Sequence, residues 1–143
     1  MADSRDPFIK FVNTLHRSIF LATKGRVLGK IGKMPAVLLT TTGRKSGQKR
    51  QSMLTSPVID GDTVVLIASY GGGPKHPQWY LNLQSNPEVE VTRAGKTITM
   101  AARTASSEER SELWPRVVQA YKGYAGYQEK TDREIPVVIL TPA

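Results

Sequence analysis

The sequence predicts a small, mostly antiparallel β domain with flanking helices, closed into a barrel. Strand-like runs follow one another at short intervals, with hairpin signals between them at residues 59–62 (IDGD) and at Ala94-Gly95. Short links favour antiparallel pairing. About six such strands with few helices favour a closed barrel over an open sheet, because closure removes exposed strand edges.

The composition permits one globular domain and excludes several chemistries. The chain has 143 residues, of which 39% are hydrophobic and 22% charged, and it has no cysteine. The absence of cysteine excludes disulfides, thiolate metal sites and a cysteine nucleophile. No signal-peptide pattern opens the sequence, and no apolar run approaches the roughly 18 residues of a membrane span. We therefore expect a cytoplasmic protein, and we expect a monomer.

Residues 1–34 are predicted to form a segment distinct from the β domain at 35–143. An amphipathic helix is expected over residues 7–22, because apolar residues recur there at spacings of three and four. The stretch 23–35 has three glycines and four cations, which indicates a mobile, solvated connector. In the alternative interpretation, helix and connector contact the inner face of an anionic membrane peripherally.

The β domain contains six runs of strand composition, and they cover residues 36–42, 50–58, 63–69, 89–93, 96–104 and 135–141. The run 63–69 is almost wholly apolar, which is typical of a strand buried on both faces. Residues 77–83 can form a short helix that ends before Asn86-Pro87.

A capping box predicts the start of a longer helix. Ser106 is the expected N-cap and Glu109 the third helical residue, so that each satisfies a backbone N–H of the other. The helix should reach about Tyr121, and Pro115 inside it predicts a kink. A loop rich in glycine and tyrosine is expected between this helix and the last strand.

Positive charge is concentrated in the first third of the chain. The net charge is +8; residues 1–50 contain eleven lysines and arginines against two acidic residues, whereas residues 51–143 contain nine against ten. This asymmetry suggests an anionic partner, which could be nucleic acid, anionic lipid or a phosphorylated small molecule. A basic surface that only keeps the protein soluble is the alternative.

Four of these cations lie in the loop GRKSGQKR, residues 43–50, between the first two predicted strands. Glycine lets backbone N–H groups approach an anion closely, and Arg44 can bind phosphate through two N–H donors. Ser46 adds a hydroxyl group, and Arg50 begins the next strand. A hairpin tip with solvated cations is the alternative interpretation.

Two other stretches could line a pocket. In ASYGGGPKHPQWYLNL, residues 68–83, a buried strand ends at Ser69 and opens into glycines, which permit close approach to a flat ligand. Farther along, Tyr121, Tyr124 and Tyr127 recur every three residues, which puts their phenols on one side of a helical turn. A pocket wall and a core stripe explain these tyrosines equally well.

Other catalytic signatures are missing from the sequence. The two histidines, His16 and His76, lie far apart, and neither has acidic or histidine neighbours at metal-ligand spacing. No Walker loop, G-x-G-x-x-G or H-E-x-x-H pattern occurs, and no metal site is predicted. A metallohydrolase and a serine hydrolase with a Ser-His-acid triad are therefore poorly supported.

Taken together, LLTTTGRKSGQKR, ASYGGGPKHPQWYLNLQSNPEVEV and ARTASSEERSELWPRVVQAYKGYAGYQEKTDREIPVVIL resemble the deazaflavin-dependent nitroreductase family over residues 35–141. The resemblance implies a split β-barrel of the flavin- and deazaflavin-binding oxidoreductase type. It implies coenzyme F420, an 8-hydroxy-5-deazaflavin with a phosphate and a γ-glutamate tail, in preference to flavin mononucleotide. Members of the family pass a hydride from the reduced coenzyme to quinones, nitro compounds or activated enones.

The resemblance also implies roles for individual residues. The phosphate and the acidic tail are assigned to Arg44, Lys45, Ser46 and Arg50. The strand along the deazaflavin contributes Gln51, Ser52, Met53, Leu54 and Thr55. The other side of the pocket is assigned to Ile67, Ala68, Ser69, Gln78, Trp79, Tyr80 and Asn82. The substrate should face Tyr124 and Tyr127, and the proton is expected from water, Ser69 or a tyrosine.

One position departs from the family pattern. The family frequently has lysine after the serine of ASxGG, and this chain has Tyr70 there, which weakens the expected contact with the acidic tail or adds an aromatic ring beside the substrate. We expect an enzyme with a small-molecule electron acceptor and no nucleic-acid partner. The rival hypothesis is a non-catalytic basic β-barrel that binds nucleic acid or an anionic membrane.

Overall fold

The computed structural model describes residues 30–31 and 34–143 of the chain. It contains eight strands: β1 (Lys30–Ile31), β2 (Met34–Thr42), β3 (Lys49–Thr55), β4 (Val58–Asp60), β5 (Thr63–Ile67), β6 (Glu88–Arg93), β7 (Lys96–Thr104) and β8 (Val137–Pro142). The helices are α1 (Gln78–Ser85), α2 (Ser107–Ala120) and α3 (Gly123–Glu129), and a 3₁₀ turn covers Tyr70–Gly72. The helix predicted at 7–22 lies outside the described residues.

The strands form one antiparallel sheet in the order β1-β2-β6-β7-β8-β5-β4, and β3 pairs with β2 opposite β6. The prediction of a mostly β protein with flanking helices is confirmed. The prediction of a closed barrel is wrong for the described strands, because β3 and β4 form no ladder with each other. β4 has only three residues, and Pro57 immediately before it has no N–H to donate, so this end offers few groups for closure.

Several predicted boundaries are corrected by contacts that the structure shows. Lys30–Ile31 pair with the start of β2, where a mobile connector was predicted. The run predicted at 50–58 divides at Ser56, because the Ser56 hydroxyl donates to the Val65 carbonyl oxygen at 2.6 Å and turns the chain towards β5. The predicted glycine- and tyrosine-rich loop contains α3, because burial of Tyr124 in the core favours a helical turn there.

The core has two main clusters, one on each face of β5. The side chains of Val64 and Leu66 pack on one face with the apolar residues of β2, β6 and α1, whereas Val65 and Ile67 pack on the other with those of α2, α3 and the start of β8. Successive side chains of a strand point to opposite faces. This alternation confirms that the apolar run beginning at Val64 is buried on both sides.

Helix α2 begins at the predicted capping box. The backbone N–H of Glu109 donates to the Ser106 hydroxyl at 3.2 Å, and the Glu109 carboxylate accepts from the Ser106 N–H at 3.0 Å. The bidentate pair with Arg103, at 2.7 Å, together with these Ser106 contacts, lowers the pKa of Glu109 to about 2. Pro115 lies inside the helix, which continues beyond it to Ala120.

Candidate functional site

The basic loop is a tight hairpin connection between β2 and β3. Thr42 and Lys49 are the last paired residues, and the Gly43 N–H donates to the Gln48 carbonyl oxygen at 2.8 Å. Gly47 has a φ of 72°, in the left-handed region that glycine adopts without strain. The loop therefore holds its side chains in a compact cluster at the end of the two strands.

Arg44 is held by helix α1. Its backbone N–H and its Nη1 both donate to the Asn82 Oδ1, at 3.2 and 2.9 Å, and its Nη2 donates to the Gln78 Oε1 at 2.9 Å. Asn82 is buried, and its Nδ2 donates to the Thr41 hydroxyl at 3.3 Å. Arg44 thus docks the loop onto α1 in addition to contributing charge.

The other three cations of the loop are exposed and have no carboxylate partner among residues 34–143. Lys49 Nζ lies 3.4 Å from the Thr42 hydroxyl, and Arg50 Nη2 lies 3.5 Å from the Ser46 hydroxyl. The ion pairs in this part of the chain involve other residues: Arg103, Arg110 and Arg116 with Glu109, Glu134 and Asp60. An anion brought to the loop would therefore meet cations that no carboxylate of residues 34–143 neutralises.

The loop borders a cavity of about 340 Å³. A second cavity, of about 500 Å³, lies beside it. Ser52, Gln78 and Trp79 line both cavities, so the two lie side by side, and we call them together the groove. One end of the groove is basic, and the other is lined by apolar and aromatic side chains from β3, the 3₁₀ turn and the tyrosine segment.

The segment after β5 forms the floor of the aromatic end. Ser69 is buried and lines the cavity, and its hydroxyl has no hydrogen-bond partner among the described residues. Tyr70, Gly71 and Gly72 then have φ values of 46°, 63° and 81°. A positive φ is uncommon for tyrosine, and it places the Tyr70 ring at the edge of the cavity.

Three tyrosines form one wall of the aromatic end. Tyr121 and Tyr124 pack edge to face with ring centroids 5.3 Å apart, and the Tyr121 and Tyr127 hydroxyls are 3.4 Å apart. The Tyr121 hydrogen bond and burial raise the pKa of Tyr127 to about 12, and burial raises the pKa of Tyr124. Both phenols are therefore protonated at neutral pH. Tyr124 belongs to the core as well as to the wall, so both interpretations of the spacing hold.

Most of the predicted site residues meet in the groove. The basic end includes Arg44, Lys45, Ser46, Arg50, Ser52, Gln78, Trp79 and Asn82. The aromatic end includes Met53, Leu54, Thr55, Ile67, Ser69, Tyr124 and Tyr127. Three predicted residues lie outside both cavities: Gln51 is exposed, Ala68 is fully buried, and the Tyr80 hydroxyl hydrogen-bonds with Thr104 at 2.8 Å.

Arg133 is the main residue near the site that sequence reasoning missed. Its guanidinium donates to the carbonyl oxygens of Ser69 at 2.8 Å, Gly73 at 3.0 Å and Ala68 at 3.2 Å. It also lies 2.9 Å from the His76 Nδ1. These partners are about 60 residues away in sequence, and no local motif marks such contacts.

Asn82→Ala is expected to weaken both the fold and ligand binding at the basic end. The change leaves the Arg44 N–H without its acceptor, and loss of a buried hydrogen-bond partner costs about 1–3 kcal/mol of unfolding free energy. Chemical denaturation of the variant measures this loss. Ser85→Ala, at the exposed end of the same helix, should change the unfolding free energy by less than about 0.5 kcal/mol. Equal stability of the two variants would contradict the docking role of Asn82.

Metal and membrane features are absent from the part of the chain that the structure describes. No group of three or more histidine and acidic side chains is placed to hold a metal ion there. None of the helices in that part is both long and apolar enough to cross a bilayer.

Comparisons with known proteins point to one family. The family model described as F420H(2)-dependent quinone reductase matches residues 13–142. An F420H(2)-dependent quinone reductase of Mycobacterium tuberculosis (strain H37Rv) is 40% identical over 131 residues, covering 89% of this chain and 87% of that protein. A relative from Mycobacterium bovis is also 40% identical over 131 residues, covering 89% of this chain and 87% of that protein.

Two solved structures are also similar. A structure of an F420-H2 dependent reductase is 48% identical, with a TM-score of 0.68, and covers 74% of this chain and 93% of its own. Another, described as a domain-swapped dimer, is 40% identical, with a TM-score of 0.71, and covers 92% and 98%. The resemblance seen in the motifs is thereby confirmed, and this chain belongs to the F420H(2)-dependent quinone reductase family.

Proposed function

We propose that this protein binds reduced coenzyme F420 in the groove and transfers a hydride from it to a quinone or another flat, electron-poor acceptor. The observation that carries the proposal is the groove, in which a cation cluster without carboxylate partners among residues 34–143 lies beside an aromatic chamber. A flat ring with an anionic tail needs these two environments side by side. Family membership supports the same cofactor and reaction class.

The residues present fit the coenzyme. Lys45, Ser46 and Arg50 would bind the phosphate and the acidic tail, because they are exposed at the basic end without carboxylate partners. The half-buried side chains of Met53 and Thr55 would contact the ring from β3. The Ser69 hydroxyl, which has no hydrogen-bond partner among the described residues, offers a hydrogen bond to a polar atom in the chamber.

When bound, the reduced deazaflavin supplies the hydride from its C5, so the protein contributes position and electrostatics. A phenol with an ordinary pKa near 10 is protonated at neutral pH, and the raised pKa values of Tyr124 and Tyr127 extend this to more alkaline pH. A protonated phenol can donate a hydrogen bond to an acceptor oxygen on which negative charge develops. We therefore assign Tyr127, which is half-buried in the chamber wall, to orient the acceptor and stabilise this charge.

The oligomeric state and the split-barrel arrangement stand as proposals. The sequence predicts a monomer, whereas a structural relative that is 40% identical to this chain is described as a domain-swapped dimer. Light scattering on purified protein distinguishes the two states. The split-barrel arrangement implied by the family resemblance, and the membrane contact predicted for residues 1–34, are retained as predictions.

Deuterium placed at C5 of the reduced coenzyme is expected to appear in the product when an activated enone is the acceptor. Direct transfer between two bound molecules leaves no opportunity for exchange with water. Mass spectrometry of the reduced enone measures the label. The same assay with menadione tests for oxidation of the coenzyme by a quinone.

Two controls separate direct hydride transfer from exchange with solvent and from binding without catalysis. Unlabelled coenzyme in deuterated water should leave the transferred position unlabelled. Turnover without label transfer would contradict direct hydride transfer. Salt-sensitive binding of a single-stranded oligonucleotide or anionic vesicles, with no binding of the coenzyme, would favour the rival hypothesis instead.

A further inference from the structure

We propose that Arg133 is a positioning residue for the groove. Its guanidinium group holds residues 68–73 in the shape that presents Ser69 and Tyr70 to the bound molecules, and it does so only while His76 is neutral. The inference rests on the proposed function for its consequence in binding. The set of contacts from Arg133 to residues 68–73, which we call the brace, can be tested in the ligand-free protein. Arg133 lines neither cavity, so its effect must pass through the segment that it holds.

The planar guanidinium group satisfies several backbone groups at once. Nε donates to the Gly73 carbonyl oxygen, Nη2 to that of Ser69, and Nη1 to that of Ala68. Ala68 is buried, and a buried carbonyl group is costly to leave unpaired. Arginine suits this position because its five N–H donors form a rigid fork, whereas lysine offers donors from a single nitrogen.

The braced segment has little regular structure of its own. Its 3₁₀ turn is closed by the Gly72 N–H, which donates to the Ser69 carbonyl oxygen at 2.9 Å, and by the Gly73 N–H, which donates to that of Tyr70 at 3.1 Å. Tyr70 has a positive φ, and such a conformation persists only when the surroundings hold it in place. The Arg133 contacts supply that constraint from outside the segment.

Arg133 is itself anchored to the helices. The Gln128 Nε2 donates to the Arg133 carbonyl oxygen at 2.8 Å. The Gln128 Oε1 accepts from the Ile135 N–H and from Arg110 of α2, both at 2.9 Å. The guanidinium group therefore extends from a fixed backbone, which allows it to act as a brace between the helical side of the molecule and the groove.

His76 makes the brace sensitive to pH. The Nδ1 atom can accept from Arg133 only when it carries no proton, and a protonated ring would place a second positive charge beside the guanidinium. The titratable and charged groups described against the ring are Arg133 on one side and Tyr80, with ring centroids 5.0 Å apart, on the other. Burial and then the Arg133 charge lower the pKa of His76 below its ordinary 6.5. The neutral form is favoured at pH 7 and is lost as the pH falls through the lowered pKa.

The test uses Arg133→Lys, His76→Asn and the control Arg116→Lys. Arg133→Lys keeps the positive charge and loses the planar set of guanidinium N–H donors. His76→Asn keeps an acceptor near the position of Nδ1 and does not titrate. Arg116 also makes two guanidinium bonds, to Asp60, at an exposed site outside both cavities. Hydrogen-exchange protection of the Gly72 and Gly73 amides is measured in the ligand-free variants, and coenzyme affinity is measured by fluorescence titration.

Arg133→Lys is expected to lower both protection factors and the coenzyme affinity by about tenfold or more, whereas Arg116→Lys changes neither. In the wild type, both quantities should fall as the pH drops through the lowered pKa of His76, and His76→Asn should remove that fall. Unchanged protection in Arg133→Lys, or an acid-side fall that persists in His76→Asn, would overturn the proposal. If Arg133→Lys does not fold, the proposal is tested by comparing the pH profiles of protection and affinity in His76→Asn with those of the wild type. Failure of the wild type to bind coenzyme would count against the proposed function alone, because the protection factors still report the brace.

Discussion

Replacing Lys45 and Arg50 by alanine is expected to weaken coenzyme binding more than any other change at the basic end of the groove. Each residue that loses a charge-assisted hydrogen bond to the phosphate or the acidic tail costs about 1.5–3 kcal/mol of binding free energy. This corresponds to roughly a tenfold to hundredfold rise in Kd for each substitution. Fluorescence titration with F420 measures the single and double variants.

The structure allows the loss of binding to be separated from a loss of folding. Lys45 and Arg50 are exposed and form no ion pair within residues 34–143, so the thermal midpoint of the double variant should match that of the wild type. Lys96→Ala removes an exposed cation at the β6–β7 hairpin and should leave Kd unchanged. Wild-type affinity should fall with added salt, and the double variant should respond less. Unchanged affinity in the double variant would remove the basic loop from the binding site.

Gly72→Ala is expected to cause the largest loss of stability among the glycine positions beside the groove. A Cβ atom at Gly72 would lie 2.8 Å from the carbonyl oxygen and 3.0 Å from the Cα atom of Tyr127. These are backbone atoms of α3, which cannot move aside as a flexible side chain can. The residue also has a φ of 81°, so an L side chain would be strained. Strain and overpacking together should lower the unfolding free energy by about 2–5 kcal/mol.

Gly61→Ala is the matched control, because Gly61 has a φ of 60° and no atom within 4 Å of the added Cβ. Gly61→Ala should lower the unfolding free energy only by the cost of the strained backbone conformation, about 1–2 kcal/mol. Urea denaturation of both variants measures the difference. Equal losses of unfolding free energy in the two variants would mean that the close approach of the 3₁₀ turn to α3 does not add to the cost of Gly72→Ala. A larger loss in Gly72→Ala would also predict weaker acceptor binding, since Tyr127 would have to move.

The sheet illustrates how much of the fold local sequence can predict. Alternating or continuous apolar runs located the major strands, and the IDGD and Ala94-Gly95 turns located two hairpins. The sequence did not predict the short strands Lys30–Ile31 and Val58–Asp60, or helix α3. Short elements carry too few residues for a periodic signal, even though β1 and β4 each pair with the strand that follows them in the chain.

In the candidate site, some residues were found from local sequence and others were placed by tertiary packing. The basic loop was found from the sequence because its cations, its glycines and Ser46 are adjacent in the chain, and their chemistry is local. The placement of Gln51, Ala68 and Tyr80 outside both cavities was decided by packing. Strand twist and the docking of α1 determine which of the neighbouring side chains reach the groove, and neither can be read from residue types alone.

By itself, the sequence determined the antiparallel β class, the helix that starts at Ser106, the anionic ligand expected at the basic loop and the family with its coenzyme. Only the tertiary structure decided that Arg44 docks on Asn82, that the three tyrosines share a wall with Ser69, and that Arg133 braces residues 68–73. The physical reason is the sequence distance between partners. Caps, turns and charge clusters arise between neighbours in the chain, whereas contacts over 38 to 65 residues exist only after the sheet order has brought their elements together.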